Sequence, residues 1–259
     1  VVRTAKTVKP GTVVITGASS GIGRALAIEY ARRGAHVLAT ARREAELASL
    51  CEQIRATGGR ASHFVCDVSD ANAAYGIAKR AEEMLGSVDM IIANAGVGST
   101  ANAARLSLDD LIRTIDVNVR GAMATLLGAI PVMLPRGRGQ LVGVSSLAGR
   151  RALPGSADYC ASKAALSTFI EGLRIDLASS GLSITDVQPG FVDTPMTAKN
   201  KHPMPFIWDA AKAARYVADR LEHAPGMIAF PPPLRFLTRL SQLLPFSVHA
   251  YLTTSAKRP

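Results

Sequence analysis

Apolar residues along this chain fall into short, near-continuous runs separated by stretches of helical period. The runs "TVVIT" (12–16), "HVLAT" (36–40), "SHFVC" (62–66), "VDMIIA" (88–93), "QLVGVS" (140–145) and "SITDVQ" (183–188) are rich in β-branched residues and read as strands. A run with little polar alternation is what a parallel strand covered by helices on both faces requires. Between the runs, "GRALAIEYARRG", "EAELASLCEQIRATGG" and "ANAAYGIAKRAEEMLG" repeat apolar residues at helical spacing and each closes on glycine. With "GMIAFPPP" as a last strand, the alternation predicts an α/β fold: a doubly wound parallel sheet of about seven strands, helices on both faces, joined by right-handed crossovers. No internal repeat or linker interrupts the pattern, so residues 1–259 are expected to form one domain.

Composition narrows the function classes. The chain has 259 residues, 48% of them hydrophobic, enough for a substantial core. Its three cysteines, Cys51, Cys66 and Cys160, have neither metal-ligand spacing nor a paired framework, and read as free thiols of a cytoplasmic protein. The five histidines are scattered, and no metal site is expected. No apolar run reaches the roughly 18 residues of a membrane span. The longest, "GAMATLLGAIPVMLP", reads as a buried helix stopped by Pro131, and the opening "VVRTAKTVKPG" is a basic lead without an apolar signal core. The net charge of +10 suits an acidic ligand, but the basic residues are dispersed and aromatics make up only 5%, so a nucleic-acid partner is not expected.

Two short stretches carry candidate chemistry. "TGASSGIG" (16–23) joins the first strand to the first helix, where glycines permit a tight turn and close approach to a pyrophosphate, and the helix start supplies amides. Its G-x-x-x-G-x-G spacing differs from the commoner G-x-G-x-x-G fingerprint. "YCASK" sets Tyr159 four residues before Lys163, on one face of a helix. A cation about 4 Å from a partly desolvated phenol favours the phenolate by roughly 4 kcal/mol, or about three pKa units, which would bring a tyrosine towards neutral working pH.

With "CDV" (66–68), "NAG" (94–96), Asn118 in "DVNVRG", "VSSLAG" (144–149) and "PGFVDT" (189–194), these motifs stand in the order and rough spacing of the short-chain dehydrogenase/reductase family. The chain resembles that family from about Thr12 to Thr194. The resemblance implies a Rossmann-type fold and a catalytic set of Asn118, Ser146, Tyr159 and Lys163; of the paired serines, Ser146 stands thirteen residues before Tyr159, as expected in the family. Tyr159 would exchange a proton with the substrate oxygen while Ser146 donates a hydrogen bond to it. Lys163 would lower the Tyr159 pKa and hold the cofactor ribose, and Asn118 would position a water.

The cofactor contacts implied are Gly17, Ser19, Ser20, Gly21, Ile22 and Gly23 at the pyrophosphate, and Asp67 and Val68 at the adenine. Asn94, Ala95 and Gly96 would floor the site, and Pro189, Gly190, Val192 and Thr194 would meet the nicotinamide. The second strand ends "HVLATARRE", with Ala41, Arg42 and Arg43 where an NAD enzyme of this kind places a carboxylate for the ribose hydroxyls. Guanidinium groups there favour the 2′-phosphate of NADP(H) over NAD(H). The expected activity is interconversion of a carbonyl and a secondary alcohol on an apolar or amphipathic small molecule. The other readings are an epimerase or dehydratase, which usually carries a different glycine loop, or a cofactor-sensing regulator, which tends to lose the tyrosine or lysine.

Beyond "PGFVDTPM" the resemblance loosens. A variable segment at about 195–225 is expected over the substrate, with Met196, Met204, Phe206, Ile207 and Trp208 as wall or core beside Val97, Leu147, Leu153 and Phe191. Three prolines, 231–233, replace the glycine-rich ending that supports tetramers in many family members, leaving a homodimer through helices at 107–130 and 157–180 as the expected assembly. In the tail at about 233–259, apolar residues at 234, 237, 240 and 244 share one helical face, and no Asp or Glu follows Ala224. That face is expected to pack on the body; weak contact with an anionic membrane is the alternative.

Overall fold

The computed structural model describes residues 9–98, 102–200 and 203–255. The basic lead 1–8, His202 and the terminal Lys257 and Arg258 lie outside them. Nine strands and nine α-helices are described: β1 (Thr12–Thr16), α1 (Gly21–Arg32), β2 (His36–Ala41), α2 (Glu44–Ala56), β3 (Arg60–Val65), α3 (Ala71–Leu85), β4 (Met90–Ala93), α4 (Leu108–Ile115), α5 (Ala122–Met133), β5 (Gly139–Val144), α6 (Ala157–Asp176), β6 (Leu182–Pro189), β7 (Val192–Asp193), β8 (Trp208–Asp209), α7 (Ala210–Leu221), β9 (Met227–Phe230), α8 (Pro232–Leu243) and α9 (Phe246–Ser255). Seven strands form one parallel sheet in the order β3-β2-β1-β4-β5-β6-β9, while β7 and β8 make a small separate pair. The order reverses between β1 and β4, and the crevice beyond the carboxyl ends of strands at such a reversal is where this architecture binds ligands.

The continuous apolar runs are explained by two cores, one on each sheet face. Val13 and Ile15 point to the core under α1, α2 and α7, while Val14 between them points to the core under α3, α5 and α6. Close helix packing rests on small residues: a Cβ on Gly128 of α5 would lie 1.9 Å from the Tyr75 carbonyl oxygen of α3. The helical stretch 108–136 is continuous, and by length and composition alone it is apolar enough to cross a membrane. Half of its apolar window is buried within the protein, against α3 and the sheet, as in a core helix.

Two expectations about local structure change. Pro131 does not stop its helix: α5 runs to Met133 with Pro131 inside its last turn. The proline is exposed, so the amide it lacks falls where water meets the carbonyl left without a partner. The segment from 208 onward does not cover the cleft. Trp208 stacks on Phe230 at 5.2 Å and takes the edge of Tyr216, and α7 buries Ala213, Ala214, Val217, Ala218 and Leu221 against the body. From the expected 195–225 segment, Pro195, Met196 and Thr197 line the cleft.

Candidate active site

β1 ends at Thr16, and the chain turns through Gly17 at φ 67° and Gly21 at φ 58°, left-handed conformations that glycine adopts without strain. A Cβ on Gly17 would lie 2.7 Å from Ala95 Cα, so the glycine loop and the end of β4 approach closer than side chains allow. Gly23 serves the same packing: its Cβ would strike the Asn94 amide at 2.4 Å and the Gly17 carbonyl oxygen at 2.6 Å. Thr16 fixes the neighbouring strand end, its hydroxyl accepting from the Asn94 and Ala95 amides at 3.0 and 3.1 Å. Ser20 precedes α1 without capping it through its side chain, and the first turn of α1 holds no acidic residue. The amides at this helix start therefore face the cleft uncommitted to a side-chain cap, as an anionic pyrophosphate requires.

The cleft has a volume of about 290 Å³. Gly17, Ser19, Ser20, Gly21 and Ile22 line one part of it, Arg42, Arg43, Asp67 and Val68 a second, and Asn94, Ala95 and Gly96 the floor. Pro189, Gly190, Val192 and Thr194 form the opposite wall, and Ser146, Tyr159 and Lys163 open into the same space. Of the residues expected at the site, Gly23 and Asn118 stand behind this lining. The lining offers guanidinium groups at one end, helix-start amides along the middle and Tyr159 with Lys163 at the other end, the set of groups a nicotinamide dinucleotide requires.

At the outer end, Arg43 donates to the Ser19 and Ser20 hydroxyls at 2.9 and 2.8 Å. Arg42 is held more loosely, 3.7 Å from the Asp67 carboxylate, with both side chains about half exposed. Partial burial works against the Asp67 charge, but hydrogen bonds from Ser69 and the nearby Arg42 hold its carboxyl below the usual range.

At the inner end, Tyr159 and Lys163 lie one turn apart on α6, and the Lys163 ammonium stands 5.7 Å from the centre of the Tyr159 ring. Lys163 is buried and donates to the Val144 carbonyl at 2.9 Å. Burial pulls its pKa from the ordinary range down to about 8, against the attraction of the Asp186 carboxylate. Tyr159 differs from the expectation. Burial pushes its phenol above the ordinary value, and the hydrogen bond with Ser146 pulls only partly the other way. The lysine does not depress it here because the ammonium meets a backbone carbonyl and the ring rather than the phenol oxygen. Tyr159 is a neutral acid in this state of the protein.

Asn118 lies in a π-turn, Asp116–Gly121, between α4 and α5, a break that recurs at functional sites. Both of its amide protons and one lone pair of its amide oxygen are committed. Oδ1 accepts from the Val97 amide at 2.8 Å, and Nδ2 donates to the Val97 carbonyl and to Ser162 Oγ at 2.8 and 3.0 Å. The side chain thus clamps the strand-end segment beneath the cleft.

One part of the site escaped sequence reasoning. Asp186 on β6 is buried and accepts from the Ser145 hydroxyl at 2.5 Å and from the Gln188 amide at 2.6 Å. Gln188 in turn accepts from Arg150 at 2.6 Å. Ser145 stands between Val144, which takes the Lys163 proton bond, and Ser146. The signal was a lone carboxylate inside the apolar run "SITDVQ". Thr197 was also missed; its hydroxyl donates to the Val192 carbonyl at 2.6 Å and pins the Thr194 turn. Of the apolar residues named for a substrate wall, Val97 and Met196 line the cleft; Leu147 is buried, while Leu153, Phe206 and Ile207 are exposed.

Comparison with known proteins agrees with this geometry. The short chain dehydrogenase family profile matches residues 11–205. An "uncharacterized oxidoreductase" of Myxococcus xanthus is 44% identical over 234 residues, covering 90% of this chain and 92% of its own. A 3beta-hydroxysteroid dehydrogenase of Mediterraneibacter gnavus is 35% identical over 189 residues, 73% of this chain and 68% of its own. Among solved structures, the alcohol dehydrogenase of the archaeon Thermococcus sibiricus, complexed with 5-hydroxy-NADP, superposes with a TM-score of 0.77 at 26% identity, covering 85% of this chain and 95% of that one. The chain is an oxidoreductase of the short-chain dehydrogenase/reductase family, whose fold binds a nicotinamide cofactor.

Proposed function

We propose that this oxidoreductase is NADP(H)-dependent and interconverts a ketone and a secondary alcohol on an apolar or amphipathic small molecule. The observation that carries the reading is the convergence of Ser146, Tyr159 and Lys163 on one end of a cleft whose other end holds Arg42 and Arg43. The bound nicotinamide supplies the hydride. Tyr159, half-buried at the cleft and neutral, delivers the proton to the carbonyl oxygen, and Ser146 donates a hydrogen bond to that oxygen as charge builds on it. Lys163, beside the Tyr159 ring, would hold the ribose of a bound cofactor and offset the charge left on Tyr159. Asn118 keeps the Val97 segment in place through its side chain, whose oxygen retains one acceptor site for a water. The arginines and the lack of a carboxylate at the end of β2 support NADP(H). The hydroxysteroid dehydrogenase likeness and Val97 with Met196 on the wall support an apolar substrate.

Related epimerases and dehydratases usually carry a T-G-x-x-G-x-x-G loop where this chain has "TGASSGIG", and cofactor-sensing regulators tend to lose the tyrosine or lysine that is intact here. The buried free thiols suit a cytoplasmic compartment. The exposed Leu108, Ile112 and Leu127 on α4 and α5, with Ile175 on α6, support a homodimer through these helices. Screening ketones, aldehydes and secondary alcohols with NADP(H) and NAD(H) by nicotinamide absorbance tests the activity. Reduction of apolar ketones at the expense of NADPH is expected; a protein that binds the cofactor and turns over none of them would be a sensor instead.

Asp186 gives this reading a pH dependence. Its carboxylate is the one charge that favours the protonated form of Lys163 against burial. Lys163 is protonated below about 8, and activity that needs the ammonium is lost as pH rises through that value. Asp186→Asn should therefore move the alkaline limb of kcat/KM to lower pH by roughly half a unit or more, with Asp186→Glu restoring part of the shift. A lowered rate with an unmoved limb would mean that Asp186 only supports the fold around Ser145.

A further inference from the structure

The helix face that the tail turns outward is the wrong one for a chain at rest in water. The inward side of α8 carries Leu234, Thr238 and Ser241, and only the first is apolar. Leu234 packs over Gly190, where an added Cβ would meet its Cδ2 at 2.5 Å. The tail is fastened to the body mainly by polar contacts with the 150–152 loop. Arg151 donates to the Leu244 carbonyl at 3.1 Å, Gln242 donates to the Arg150 carbonyl at 3.3 Å, and His249 meets the Ala152 carbonyl at 2.9 Å. The apolar side is left out. Phe236, Leu240 and Leu252 are exposed, as is Tyr251, and Leu243 and Phe246 at the joint between α8 and α9 are 82% and 80% exposed.

The charges beside this face have one sign. Arg235 and Arg239 project from α8, and Arg150 and Arg151 lie in the loop beneath. Among the described residues, no ion pair engages any of the four. Burial, and then the like charges of Arg235 and Arg239, weaken the charged form of Arg150. No Asp or Glu occurs from Ala224 to the end of the sequence. A second copy seated on this face would bring like-charged arginines together, whereas a surface of anionic headgroups over an apolar interior matches both the charge and the exposed side chains.

We propose that α8 and α9 form a docking surface for an anionic phospholipid bilayer, with Leu243 and Phe246 entering the interface and Arg235 and Arg239 meeting the headgroups. The inward side of the same helix packs on Gly190 through Leu234 and holds the loop that joins Ser146 to Tyr159, so docking brings the bilayer to within about one helix diameter of the cleft wall.

Flotation of the full chain with vesicles tests this, using phosphatidylcholine alone and phosphatidylcholine with about 30 mol% phosphatidylserine. The protein should float with the anionic vesicles and not with the neutral ones. Leu243→Asp with Phe246→Asp, and separately Arg235→Glu with Arg239→Glu, should each weaken binding roughly ten-fold or more. Both pairs are exposed, so the thermal midpoint and turnover of a water-soluble substrate should stay at the parent values. Failure of the parent protein to float, or flotation indifferent to both double variants, would overturn the proposal. So would light scattering without lipid that finds the parent twice the mass of the Leu243→Asp, Phe246→Asp variant, because a second copy would then cover the face.

Discussion

Tyr159→Phe should reduce turnover by about 10²–10⁴-fold while leaving NADPH affinity within about two-fold, the pattern of losing one positioned proton donor. The substitution keeps the ring that packs 3.3 Å from the Cβ position of Gly98 and the face that Lys163 approaches, so the cleft keeps its shape. Only the phenol oxygen is removed, with its hydrogen bond to Ser146. Because burial raises the Tyr159 pKa in the free protein, the parent enzyme holds its proton through neutral pH, and reduction should not decline there for want of an acid. Fluorescence titration of NADPH and single-turnover kinetics separate binding from chemistry. A Phe variant with a tenth or more of parental turnover would move the proton donor elsewhere.

Arg42→Asp should weaken NADPH binding by roughly 10–100-fold and bring the affinities for NADPH and NADH together or reverse them, since charge-assisted hydrogen bonds contribute about 1.5–3 kcal/mol. Arg42 is the freer of the two arginines, half exposed and loosely held by Asp67, whereas Arg43 is tied to the glycine loop through Ser19 and Ser20. A carboxylate at 42 would also stand beside Asp67, which adds repulsion to a 2′-phosphate. Paired dissociation constants for the two coenzymes decide the matter. An unchanged ratio would assign the phosphate to Arg43.

The central strands were legible from sequence because burial on both faces leaves a signal that needs no knowledge of partners. "TVVIT" is Thr12–Thr16 in both readings, and the other core strands moved by at most two residues. The residues around the cleft were legible because they belong to motifs of fixed spacing. What sequence did not show depends on orientation and environment. The apolar positions 234, 237, 240 and 244 share a helical face, yet α8 is anchored through Gln242 and by Arg151 in a rotation that puts Leu237 and Leu240 outside. The spacing of Tyr159 and Lys163 brings them together but does not say which atom the ammonium points at. The run "SITDVQ" marks a strand but does not say that Asp186 within it meets Ser145 and Gln188.

The clasp between the tail and the 150–152 loop has a consequence for biosynthesis. Its partners are 92 to 97 residues apart in the chain. At about 5–20 residues per second, the ribosome makes the second half of each contact on the order of 5 to 20 s after the first. The glycine loop, the arginines and α6 are all complete before that, so a nascent chain assembles its nucleotide cleft while the loop between Ser146 and Tyr159 is still unfastened. Every residue that lines the cleft precedes α8, so the clasp closes over a site whose lining has already been synthesised.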